Sequence, residues 1–126
     1  MECVVYLVRH FVKKENNMAL LTSTFSSVLS MIALAFIVAG FFLLQFPPKK
    51  INWIYGYRTK NSMKSQERWD FAQQYAAKEM IKIGFISLLA AIIGLWLNLS
   101  ETIGTWAAVI VMLILIFSML YRIEKA

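Results

Sequence analysis

Arg58 stands in the run Asn52-Trp-Ile-Tyr-Gly-Tyr-Arg-Thr-Lys-Asn-Ser62, with tyrosines at 55 and 57 beside it and the hydroxyl and amide groups of Thr59, Asn61 and Ser62 after it. A planar five-donor cation in such company suits recognition of a carboxylate, a phosphate or a lipid headgroup. It equally suits a structural role, in which the guanidinium bonds main-chain carbonyls of its own loop. Neither role makes an enzyme, and no nucleophile in the chain is paired with a base. Glu67 and Asp70 lie three apart on one helical face, but without a third ligand or a nearby histidine they read as solvated charges. One cysteine, Cys3, and one histidine, His10, exclude an internal disulfide and a cysteine-based zinc site. No cofactor and no metal is expected. The Gly56-Tyr57 pair is no potassium filter, because the next residue is a cation rather than a second glycine.

The elements that must hold this segment are apolar. Of 126 residues 60% are hydrophobic, and the mean hydropathy is +0.62, which marks a membrane protein with one domain. Residues 1–17 form a short charged N-terminal extension, with an interfacial helix as its functional alternative, and Met18 is a second candidate start. An uncharged run follows from Met18 to Phe46, long enough to cross a ~30 Å hydrocarbon core. It is expected to fray at Thr22, Ser23 and Thr24 and to stop at Pro47 and Pro48. Further spans are expected over about 81–99 and 102–121, joined by the short connection Asn98 to Thr102, which forces an antiparallel hairpin. The fold class is therefore all-α, with three transmembrane helices, a cytosolic loop, and an amphipathic interfacial helix before the second span. No ionisable residue is counted well inside any span, which argues against a transporter. Four-residue spacings of small residues, Ala35 and Ala39 on the first span and Ser87, Ala90, Ala91 and Gly94 on the second, suit close helix packing or a homo-oligomer.

Within residues 47–82, Gly56 reads as a turn residue free to take a positive φ. Ser65 reads as the N-cap of a helix carrying Glu67 in its first turn. On that helix Trp69, Ala72, Ala76, Met80 and Ile83 share one face, while Lys64, Arg68, Phe71, Tyr75, Lys78 and Lys82 form a second stripe. This pattern fits a helix at an anionic membrane surface, or one docked on the spans or on a protein partner. The formal charge of +6 is explained by topology rather than nucleic acid. Eight basic residues fall between Pro47 and Lys82, two follow the last span, and three precede the first. The positive-inside bias therefore puts the N-terminus outside and both the central segment and the C-terminus in the cytoplasm. Trp53, Trp96, Trp106 and Tyr121 fall near the expected interfaces, where such rings anchor a bundle.

The pattern of Pro48, Asn52, Tyr55-Gly56-Tyr57-Arg58-Thr59, Ser65 and Trp69, set between one span and a following pair, resembles the SdpI family of bacterial membrane proteins. The resemblance covers roughly Phe41 to Leu99 and implies toxin immunity. The founding member protects a producing bacterium from its own secreted, membrane-active peptide, and is linked to signalling through capture of a cytoplasmic repressor. It implies the bacterial inner membrane as location, and membrane lipids, a toxin peptide or a cytoplasmic regulator as partners. Asn52, Tyr55, Gly56, Arg58, Thr59, Ser65 and Trp69 are the signature and binding candidates. Two departures stand out: Pro48 is separated from Asn52 by three residues, and Gln73 stands where relatives have His or Asn. The alternative class is a non-enzymatic accessory or scaffold subunit that uses the same loop on lipid headgroups or a larger complex.

Overall fold

The computed structural model describes residues 1–21, 23–97 and 99–126. Thr22, at the expected frayed end, and Asn98, in the expected connection, lie outside the described residues. The described residues are all-α: α1 spans Glu2–Leu21, α2 Thr24–Gln45, α3 Gln66–Gly94 and α4 Glu101–Lys125, with a 3-10 turn at Ser62–Lys64. Two of these helices, α2 and α4, are long and apolar enough to cross a membrane. The uncharged run from Met18 is divided between two helices: its first residues close α1, and α2 starts afresh at Thr24. The divide has a local cause, since the Ser23 side chain accepts from the Ser26 amide at 3.5 Å and so caps a new helix. The N-terminal segment is itself helical, and its side chains from Met1 to Lys13 are all exposed.

The bundle is α2, α3 and α4, and its tightest seam joins α2 to α3. A Cβ added to Gly40 would lie 2.8 Å from the Ala77 carbonyl oxygen, and one added to Gly84 would lie 3.0 Å from that of Ala33. At the far end, a Cβ on Gly94 would run into the ring of Phe25. These three close approaches run in opposite directions along the two helices, so α2 and α3 are antiparallel, with backbones in near contact. Ser87, Ala91 and Gly94 are buried on this seam as their spacing suggests. On α2, Ala35 and Ala39 are exposed, and the inward face is Leu29, Ala33, Gly40 and Leu43. Within the chain the seam therefore uses Ala33 and Gly40 rather than the two alanines.

Helix α4 closes the bundle at both ends. One apolar cluster gathers Phe25, Leu29, Ala91 and Ala108. The other gathers Leu43, Ala76, Ala77, Ile83, Met119 and Ile123. Near the second cluster the Glu79 carboxylate is 2% exposed and meets Lys82 Nζ at 2.5 Å and an Arg122 nitrogen at 3.7 Å. Both cations reach solvent, so this buried charge is balanced from the edge of the bundle.

The seam makes a direct prediction. Gly40→Val should lower stability in detergent by about 1–3 kcal/mol through overpacking, whereas Ala35→Val should leave the melting temperature unchanged. Equal shifts in the two variants would place the helix contact elsewhere.

Candidate functional site

The segment from Phe46 to Ser65 contains only one helical turn, yet its main chain is extensively bonded. Asn52 organises the first half: its Oδ1 accepts from the amides of Ile54 and Tyr55 at 3.0 and 2.8 Å, and its Nδ2 donates to the Lys50 carbonyl at 2.9 Å. A short amide side chain reaching its own backbone in this way makes a turn without a strand or helix. The Tyr55 hydroxyl donates to the Phe46 carbonyl at 2.8 Å, fastening the loop to the end of α2. Trp69, fully buried, donates its Nε1–H to the Pro48 carbonyl at 2.7 Å. Gly56 has φ +103°, in the region that favours glycine.

Gln73 is the pin of the arrangement. Its Oε1 accepts from the Tyr57 amide at 2.6 Å while its Nε2 donates to the Tyr57 carbonyl at 2.7 Å. Both main-chain groups of one loop residue are thus satisfied by one side chain that is 1% exposed. A Cβ on Gly56 would sit 2.5 Å from that same Oε1 and 2.7 Å from Pro48 Cγ, so close packing as well as dihedral angle requires glycine there.

The second half of the loop is a reciprocal pair of hydroxyl caps. The Thr59 amide donates to Ser62 Oγ at 2.9 Å, and the Ser62 amide donates to Thr59 Oγ1 at 3.2 Å. Ser65 then caps α3, accepting from the Arg68 amide at 3.3 Å. The end of α4 is tied in by Glu124, which accepts from the Tyr57 hydroxyl at 3.0 Å and from Asn61 Nδ2 at 2.6 Å. Burial, and then the Glu124 carboxylate, push the Tyr57 phenol above its ordinary range, so it stays a donor.

Arg58 donates through Nη1 to the Trp53 carbonyl, which fixes the guanidinium across the mouth of the turn. That is its one hydrogen bond among the described residues, and the side chain remains exposed. The residues singled out by sequence therefore come together, but in two groups. Asn52, Tyr55, Gly56, Thr59, Ser65 and Trp69 are engaged in holding the loop. Arg58 alone combines a structural bond with donors still available to a ligand. Beside it lies a cavity of about 370 Å³ between the loop, α2, α3 and α4, lined by Phe42, Leu43, Met80 and Met119 and by the loop from Tyr55 to Arg58.

Two participants were not legible as such. Gln73 stood out in the sequence only as a departure from a pattern, and Glu124 lies 67 residues from Tyr57 with no local signal. The face formed by Trp69, Ala72, Ala76 and Ile83 is buried within the protein. Of the two occupants that face allowed, the bundle and loop take the place of the membrane surface. The second stripe does stay outward, with Arg68, Phe71, Lys78 and Lys82 exposed.

A family model described as the SdpI/YfhL protein family matches residues 49–122, which take in the loop, α3 and nearly all of α4. A curated relative, the uncharacterized protein YfhL of Bacillus subtilis (strain 168), is 48% identical over 50 residues, covering 40% of this chain. The match spans about half of that relative's length, 46%. No solved structure matches.

The pin is open to test. Gln73→Leu keeps the volume but leaves the Tyr57 amide without its partner and its carbonyl with only the longer bond from the Ser62 hydroxyl at 3.3 Å, at a cost of about 2 kcal/mol. Gly56→Ala should cost about 1–3 kcal/mol through its φ alone. Limited proteolysis should then cut both variants faster between residues 47 and 65, with Lys60→Gln cut at the parental rate. Unchanged cleavage of both would mean that the loop is held by something other than this pair of bonds.

Proposed function

The chain belongs to the SdpI/YfhL protein family, and we propose that it is a toxin-immunity or toxin-sensing protein of the bacterial inner membrane. In this reading it protects the cell from a membrane-active peptide, or relays the presence of one, through the loop around Gly56 and Arg58. The observation that carries the reading is the rigidity of that loop. Six of the seven signature residues are used to fix it, and what it then presents is Arg58 with Trp53 and Ile54, which are 80% and 90% exposed. A prearranged surface that sets a guanidinium beside two large apolar side chains, among the exposed Lys49, Lys50, Lys60 and Lys64, suits binding, because little ordering is left to be done when a partner arrives.

The bundle crosses the membrane three times in this reading. Helices α2 and α4 have the required length and hydropathy. The third crossing is α3, which runs antiparallel to α2 from the Gly40 level to the Phe25 level, as the close approaches of Ala77 and Gly94 require. Its outward residues Phe85, Leu89 and Ile93 are apolar and exposed, matching Leu34 and Val38 on α2 and Ile114 and Phe117 on α4. Such a continuous apolar exterior suits lipid far better than water. Trp96 and Trp106 near one end and Trp53 and Tyr121 near the other are also exposed, as interfacial anchors would be. The basic loop then faces the cytoplasm and α1 lies outside.

Expression of the intact chain should raise the survival of a sensitive bacterium exposed to membrane-active peptides. Arg58→Lys should remove most of that protection while inserting normally, because a point charge does not reproduce a forked donor. Survival no better than in cells lacking the chain would remove the immunity reading. In that case stable co-purification of a second protein in mild detergent would favour the scaffold role. Orientation has its own readout: a membrane-impermeant thiol reagent should label Cys3 in intact cells and miss a cysteine placed at Lys60. The reverse pattern would invert the topology.

A further inference from the structure

We propose that the cavity beside Arg58 holds an anionic phospholipid from the cytoplasmic leaflet, with one acyl chain between α2 and α4 and its phosphate against the guanidinium. The cavity of about 370 Å³ falls within the size range of small-ligand sites. Its wall is apolar: Ala39, Phe42 and Leu43 come from the last two turns of α2, Met80 from α3 and Met119 from α4. Two flexible thioether side chains suit an alkyl chain that samples several conformations. Arg58 is the charged residue in the lining. Its Nη1 is occupied by the Trp53 carbonyl, and the side chain is exposed, so Nη2 and Nε keep their N–H groups for phosphate oxygens.

The chemistry of the wall distinguishes a lipid from a peptide. A peptide segment entering this space would bring main-chain N–H and C=O groups for which the apolar wall has no partners. An alkyl chain brings none. The charge also favours an anion: Arg58 is a cation of the lining, and Arg122, more than half exposed, follows Met119 by one turn of α4. Glu79 partly balances Arg122, while Arg58 has no carboxylate beside it among the lining residues. The inference does not depend on toxin immunity, and a failure of either leaves the other standing.

The test uses the full chain reconstituted in nanodiscs with equal phosphatidylglycerol and phosphatidylcholine, then released into detergent for native mass spectrometry. The wild type should retain phosphatidylglycerol at least fivefold over phosphatidylcholine. Arg58→Gln should lose that selectivity. Ala39→Phe, which fills the cavity from an exposed α2 position, should reduce retention of either lipid at least fivefold and keep Arg58 intact. Arg58→Lys should keep part of the selectivity, and Lys60→Gln all of it. Soluble glycerophosphate should not displace the bound lipid. The proposal is overturned if Ala39→Phe retains lipid like the wild type, if Lys60→Gln loses as much as Arg58→Gln, or if glycerophosphate alone competes. A wild-type dimer that Ala39→Phe dissociates, with lipid retention unchanged, would assign the cavity to a second copy of the chain and also overturn it. Should Arg58→Gln fail to fold, Ala39→Phe still decides the occupancy.

Discussion

The amide of Gln73 meets the N–H and the C=O of Tyr57 at 2.6 and 2.7 Å, and this pair of bonds gives a loop with little regular structure a fixed position on α3. A chain leaving an apolar helix at a membrane boundary carries main-chain polar groups that lipid cannot satisfy. In most loops water meets that need. Here Asn52 serves the amides of Ile54 and Tyr55, Gln73 serves Tyr57, and the hydroxyls of Thr59 and Ser62 serve each other's residues. Because Gln73 is 1% exposed, its bonds meet little competition from water. Glycine at 56 follows as a requirement: with any side chain there, the turn could not approach Gln73 and Pro48 so closely.

Gln73 can reach the loop because of events farther along the bundle. The glycine contacts at Gly40 and Gly84 bring α2 and α3 to near backbone contact, which sets the height at which α3 passes the end of α2. The first turns of α3 then stand beside Pro48, where Trp69 donates to a carbonyl that would otherwise lie buried without a partner. Helix packing and loop geometry are therefore one constraint. Glu124 extends it to α4, since that carboxylate receives the Tyr57 hydroxyl and Asn61 together and ties the end of the last helix to the same loop.

Much of this was written locally in the sequence. The proline stop after Phe46, the Ser65 cap, the turn at Gly56 and the apolar stripe through Trp69 and Ile83 are each fixed by neighbours within a few residues, and such signals survive in a single sequence. What it hid were choices made between distant segments. Ala35 and Ala39 have the same spacing as the residues that pack, and only the position of Gly40 decides which stripe of α2 turns inward. Residues 18–21 are as apolar as those that follow, and a single hydroxyl at Ser23 separates them from α2. Glu79 precedes the span expected over 81–99, yet the seam brings α3 past Gly40 between Ala77 and Ile81 and buries it within the bundle. A buried carboxylate at that depth needs the exposed Lys82 and Arg122 beside it, and pattern alone does not pair residues 43 apart.

The two roles that Arg58 allows prove compatible. A guanidinium has five donors in one plane, so bonding the Trp53 carbonyl through one nitrogen leaves the others fixed in direction rather than consumed. An ammonium in the same place would have to choose, because a compact charge on a flexible stem cannot hold a carbonyl on one side and present a fork on the other. The structural bond is then a means of aiming. With six neighbouring signature residues committed to holding the turn, the guanidinium is delivered at a defined point over an apolar cavity, with Trp53 and Ile54 beside it. That geometry has donors and an apolar floor, held in place by the loop's own bonds. These are the features on which the proposed binding role rests.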